Sequence, residues 1–170
     1  MVSSLSQSQA DEDDTLKMKL GQPKIGQHVY ARITRVDFHF AKAEILAIVD
    51  QADPKEYILL KTTFQGIIFK ENVRSFDIEG LQLQKCFRPN DIIKAKVLTE
   101  QFGGKESSTA LSTVDDELGV VFARSEESGV LMIPRSWNQS QCPITGRREK
   151  RKNAPPPKEV TPEESNKMEE

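Results

Sequence analysis

GQHVYARITRVDFHFAKAEILAI, residues 26–48, alternates apolar and polar residues twice, with a short break between the two runs. HVYARITRV (28–36) sets Val29, Ala31 and Ile33 on one face and needs a bulge before Val36. FAKAEILAI (40–48) resumes the alternation after the DFH connection. Period-two alternation is what a strand with one buried face requires, so the two runs read as a β-hairpin. The rest of the chain extends the pattern. QADPKE (51–56) is a polar loop and FQGIIFK (64–70) a short strand with Gly66 near its start. ENVRSF (71–76) reads as one helical turn or a loop, and IEGLQLQKCF (78–87) as a connection without a clear period. RPND (88–91) is a turn, because proline presets φ while Asn and Asp tolerate turn conformations. IIKAKVLTE (92–100) is a strand, FGGKES (102–107) a loop and STALSTV (108–114) a fifth strand. Five short strands with no long amphipathic helix predict an all-β chain built on a small barrel. The five-stranded OB-fold is the economical solution, since closure removes exposed sheet edges.

Composition bounds what surrounds the barrel. The hydrophobic share is 36%, low for a fully packed chain, and the deficit lies at the ends. SSLSQSQADEDD near the start and NAPPPKEVTPEESNKMEE at the end have disordered compositions. The division expected is an acidic N-terminal tail over 1–23, the barrel over 24–115, a second small β domain over 116–152 and a Pro/Glu-rich tail over 153–170. The first 20 residues hold four acids and two bases, and residues 153–170 five and two; residues 21–152 keep 20 bases and 17 acids, a net +3 in a chain of −2. The basic run GRREKRK (146–152) reads equally as a solvated face or a nucleic-acid patch. Two cysteines, Cys86 and Cys142, make no disulfide framework and suggest a reducing compartment. No apolar run reaches the length of a membrane span and no signal-peptide core is present, so a soluble intracellular protein with no membrane association is expected.

Several segments, taken in order, resemble the S1 RNA-binding domain, a branch of the OB-fold. They are the opening GQHVYARITRV, Phe40 at the start of FAKAEI, Gly66-Ile67-Ile68-Phe69, FRPNDIIKAKVL and the closing ALST. Beyond them, DELGVVFARSEESG, CPITG and the basic REKRK are similar to the zinc-ribbon region that follows the S1 domain in one family of RNA exosome cap subunits, the Csl-four type. The resemblance implies a non-catalytic cap subunit of a hetero-oligomer. It would sit on RNase PH-like ring subunits beside other cap subunits, at the entrance through which single-stranded RNA passes to 3′–5′ exonucleases. It also implies residence in nucleus, nucleolus and cytoplasm. Family members commonly carry an N-terminal domain before the barrel, where residues 1–23 stand here. A shortened form, a fragment, or attachment through other surfaces is expected to account for that. A stand-alone S1 module in translation or ribosome assembly is the alternative.

The ribbon region keeps the spacing of a metal site without its ligands. Ser125 and Ser128 are one pair, Cys142 and Thr145 the other, each beside a glycine. Zinc takes about four N or S ligands, and three hydroxyls do not supply them. Set apart from the resemblance, this is the chance spacing of small polar residues in a hairpin turn; with it, the spacing reads as a remnant. No zinc and no other cofactor are expected, and apolar packing by Val120, Val121, Phe122, Val130, Leu131, Ile133 and Trp137 is expected to replace the metal.

For RNA, the resemblance makes Phe40 the stacking aromatic, with Phe69 where many S1 domains carry histidine. Lys42, Lys70 and Arg74 are candidate phosphate contacts. Ala43 stands where a second aromatic is expected and Ser108 where a basic residue is common, so the platform is thinned. Phe40 and Phe69 also read as core or loop-packing aromatics. Nothing supports catalysis. Asp115, Asp116 and Glu117 are consecutive acids that do not converge as a metal-dependent nuclease would need.

Overall fold

The alternation of residues 28–48 produces the hairpin it predicts. In the computed structural model, which describes residues 22–50, 52, 56–102 and 108–155, β1 (His28–Val36) pairs antiparallel with β2 (Phe40–Val49). Register shifts fall between Tyr30 and Ala31 and between Ile33 and Arg35, the second at the expected bulge. β2 pairs with β3 (Tyr57–Phe69), β3 runs parallel to β5 (Ser108–Ser112), β5 pairs with β4 (Ile92–Phe102), and β4 returns to β1. The circuit is a closed five-stranded barrel of OB-fold type. Its interior is filled by small and branched side chains, among them Ala31, Ile33, Ala43, Ile45, Ile93 and Leu111. Phe87 and Val73 join that cluster from the segment between β3 and β4. Each fully buried aliphatic contributes about 1.5–3 kcal/mol relative to exposure.

The RPND turn behaves as its residues require. Asn90 takes a φ of 73°, its amide donates to the Ile33 carbonyl at 2.7 Å, and the Ile33 amide donates back to Asp91. Short 3₁₀ turns occupy Lys70–Asn72 and Leu83–Lys85. The third strand is longer than the sequence predicts and begins at Tyr57, opposite Val49. Its first half is mostly exposed, with Leu60 the buried residue, so no alternation marked it. The expected acidic N-terminal tail, most of the Pro/Glu-rich tail and most of the 102–107 loop lie outside the described residues.

After β5 the chain does not leave the barrel. β6 (Gly119–Phe122) pairs with β4, and a three-stranded antiparallel sheet of β7 (Ile133–Ser136), β8 (Gln139–Gln141) and β9 (Arg148–Lys150) follows. The apolar core expected for this part is not what holds it. Val120 is buried, but Phe122, Leu131, Ile133 and Trp137 are exposed. The inward residues are Ala123 and Met132, whose backbones are bonded, so the apolar run points the other way by one residue.

Polar groups do the joining. Arg151, 1% exposed, donates from Nε to Asp91 Oδ2 at 2.8 Å and from Nη2 to Glu149 at 3.0 Å. Asp91 also accepts from the Arg88 amide. Burial pushes the Asp91 carboxyl above the usual carboxylate range, and the Arg151 and Arg88 charges offset part of that. Lys152 closes the 115–118 loop by donating to the Asp115 and Leu118 carbonyls. Desolvation lowers its pKa to about 8, against the pull of Asp116 and Asp115. Asn153 and Ala154, assigned by composition to the tail, are buried, and the segment pairs parallel with Val120. At the crossing, Gly119 has a φ of 137°, and a Cβ there would run into the Lys152 carbonyl.

Replacing Arg151 with Ala leaves a buried carboxylate without its partner and is expected to cost about 3–5 kcal/mol in urea unfolding. Gly119→Ala is expected to lower the melting temperature as well, whereas Arg148→Ala, on an exposed side chain, is expected to leave it unchanged.

Candidate nucleic-acid interface

Alternation in β2 and β3 decides which residues face outward. Ala41, Ala43 and Ile45 are buried, so Phe40, Lys42 and Glu44 lie on the other face of β2. In β3, Gly66 and Ile68 are inward and Ile67 and Phe69 outward. Phe40 and Phe69 are direct cross-strand partners, as are Lys42 and Ile67. The two phenylalanines therefore sit on the same outer face, and neither fills the barrel. Position 43 faces the interior opposite Gly66, so an aromatic there would not have joined this outer face.

The turn between β1 and β2 completes the patch. The Asp37 amide donates to the Phe40 carbonyl at 2.8 Å, and the Lys70 amide to the His39 carbonyl at 3.0 Å. These bonds place residues 37–39 beside the start of the first 3₁₀ turn. Phe38 is 72% exposed and meets His39 edge to face, with ring centroids 4.9 Å apart. Lys70 Nζ stands 5.5 Å from the Phe38 ring centroid. Phe38 and His39 were missed in the sequence because DFH reads as a bare connection; the signal was two aromatic rings in a turn flanking Phe40. Of the five residues singled out, Phe40, Lys42, Phe69 and Lys70 are brought together. Arg74 is not among them. It donates to Asp77, lies over the Phe76 ring at 5.1 Å, and belongs to a second aromatic group in which Phe76 meets Trp137 at 5.4 Å.

Ser125, Ser128, Cys142 and Thr145 occupy two turns of one design. The Gly129 amide donates to the Ser125 carbonyl and the Gly146 amide to the Cys142 carbonyl, with both glycines at positive φ. The turns meet where Ser128 Oγ lies 3.1 Å from Cys142 Sγ. The hydrogen bond from Ser128, then that from the Thr145 amide, holds the Cys142 thiol far below the ordinary thiol range, at about 6. One thiol and three hydroxyls do not make a zinc ligand set.

The loop after β5 corrects one expectation. Asp115 and Glu117 do converge, with His28 from β1, their ligand atoms lying within 4.8 Å of one another. Both carboxylates are exposed, and His28 Nε2 is 3.8 Å from Glu117 Oε1, so this is a surface charge cluster.

A closed OB-fold barrel with an aromatic and basic outer patch, fused to a small β unit, defines the class. Comparison with known proteins agrees. A family model described as Exosome component EXOSC1/CSL4 matches residues 52–100. The chain is 39% identical over 132 residues to the Exosome complex component CSL4 of Homo sapiens and to that of Mus musculus, covering 78% of this chain and 63% of each relative. It is 34% identical over 134 residues to the Exosome complex component csl4 of Schizosaccharomyces pombe, covering 79% of this chain and 68% of that one. The chain belongs to the CSL4 family. It spans less than two thirds of the length of the human and mouse relatives.

Thiolate absorbance of the full chain is expected to titrate near pH 6 for Cys142, and Ser128→Ala is expected to move that midpoint upward. A lowered folded-state pKa means that this group's stabilisation is complete above the ordinary thiol value of about 8.5 and fades as pH falls through about 6. Cys86, which burial pushes upward, titrates separately at higher pH. Dialysis against a chelator is expected to leave the melting temperature unchanged; a marked fall would show a bound metal.

Proposed function

We propose that this protein is a non-catalytic cap subunit of the RNA exosome that holds single-stranded RNA at the entrance of the ring. The observation that carries the reading is similarity to Exosome complex components over 132 residues. That length exceeds the span from β1 to β5, so the likeness runs beyond the barrel strands. The outer patch supplies chemistry suited to the role. Single strands bind OB-type surfaces by stacking bases on aromatics while Lys and Arg follow the phosphates. Phe40 and Phe69 offer ring faces, with Phe38 at the edge, and Lys42 and Lys70 offer charge. With few rings and two lysines, affinity is weak in the isolated chain and gains from the other surfaces of an assembly. On this reading the partners are RNase PH-like ring subunits and other cap subunits, the protein works in nucleus, nucleolus and cytoplasm, and strand cleavage belongs to associated exonucleases.

Affinity purification of the tagged chain, with bound proteins identified by mass, is expected to recover ring subunits and exonucleases. Ribosomal proteins alone would favour a free module in translation or ribosome assembly, and magnesium-dependent cleavage by the pure chain would overturn the non-catalytic reading. Replacing Phe40 and Lys70 together with Ala is expected to weaken RNA binding at least fivefold, on the order of one stacked base, with the melting temperature unchanged. A collapse in stability would make the pair structural.

A further inference from the structure

Two clefts meet where the β unit packs on the barrel, and they differ in chemistry. One is a cavity of about 530 Å³ walled largely by apolar groups, including Phe76, Val114, Pro134, Trp137 and Ala154. Phe76 and Trp137 are both about half exposed there, meeting edge to face at 5.4 Å. The other is smaller, about 180 Å³, and basic: Arg74, Lys85, Lys150, Arg151 and Lys152 line it, with no carboxylate among the described residues of its wall. Arg74, Trp137 and Lys152 line both, so the clefts are neighbours across these three side chains.

The charges are not equally committed. Arg151 is spent on Asp91 and Glu149, Lys152 on two carbonyls, and Arg74 on Asp77. Lys85 and Lys150 are exposed and have no ion pair with any described carboxylate. An apolar slot with ring faces beside a basic recess with uncommitted lysines suits a ligand that is flat at one end and anionic at the other. A cationic guest such as a methylated lysine is disfavoured, because Arg74, Arg135 and Lys152 outnumber Asp116 around the aromatic cleft.

We propose that this junction is a nucleotide subsite for single-stranded RNA, with a base against Trp137 and Phe76 and its phosphate at Lys85 and Lys150. The assignment rests on the RNA-binding reading above, but its residues are separate from Phe40, Lys42, Phe69 and Lys70. It also gives Arg74 a place, between the two clefts instead of on the barrel's outer patch.

Trp137 is the single tryptophan in the chain, so its emission reports this cleft alone. The full chain is titrated with labelled single-stranded oligoadenylate at low salt, reading RNA anisotropy and tryptophan emission together. RNA is expected to quench Trp137 in step with the anisotropy. Lys85→Ala with Lys150→Ala, and separately Phe76→Ala, are each expected to weaken the quench at least about fivefold, with the melting temperature held. Phe40→Ala with Lys70→Ala is expected to lower affinity but keep the quench at saturation. RNA binding without quench overturns the subsite and leaves the barrel patch standing. A quench indifferent to the lysines and to Phe76 overturns it too. Absence of both signals overturns it together with RNA binding by the isolated chain. If a peptide of residues 155–170 quenches Trp137 and RNA does not, the cleft is a peptide site and the proposal fails.

Discussion

The buried pair between Asp91 and Arg151 is the constraint on which the rest depends. Asp91 ends the turn that starts β4, and Arg151 follows β9, 60 residues later. A charge pair taken out of water repays its desolvation only with good geometry and further hydrogen bonds. Here the Arg88 amide and Glu149 supply them. The result is less a source of net stability than a lock, since neither partner is tolerable in the interior without the other. It fixes where the β unit sits, and so places Trp137 beside Phe76 and Lys150 beside Lys85.

The same lock explains why the β unit manages with so little apolar core. Its exposed Phe122, Leu131 and Ile133 are not packed inside it, while Ser140, Asn153, Arg151 and Lys152 are buried and bonded. The described order of this unit comes from backbone pairing, two matched turns and the barrel against which it rests. Its integrity is tied to that of the barrel.

The barrel was legible in the sequence because its strands are one-sided. Val29, Ala31 and Ile33, then Ala41, Ala43 and Ile45, state their burial in their spacing, and Asn90 states its turn. The first half of β3 was not legible, since residues without a buried face carry no period. The orientation of the β unit was missed for a related reason. Val130, Leu131, Met132 and Ile133 are all apolar, and a continuous run does not say which alternate residues turn inward. GRREKRK could not be resolved by composition either. Arg151 and Lys152 are interior and Arg148 and Lys150 exposed, a division set by partners far away in the chain. Phe40 and Lys70 were legible as one patch, but Arg74 was not separable from them, because proximity in sequence after β3 gives no hint of the fold back toward Trp137.

The strap from Arg151 to Ala154 also orders events in time. Its contacts reach Cys86, Asp91, Val120, Trp137 and Asn138, all made earlier in synthesis. A ribosome releases the barrel strands first, and until the strap emerges Asp91 lacks Arg151, and the Cys86 carbonyl and Val120 amide lack their strap partners. Contacts so distant in sequence form late and slowly. Docking of the β unit is therefore complete only after the strap has been made.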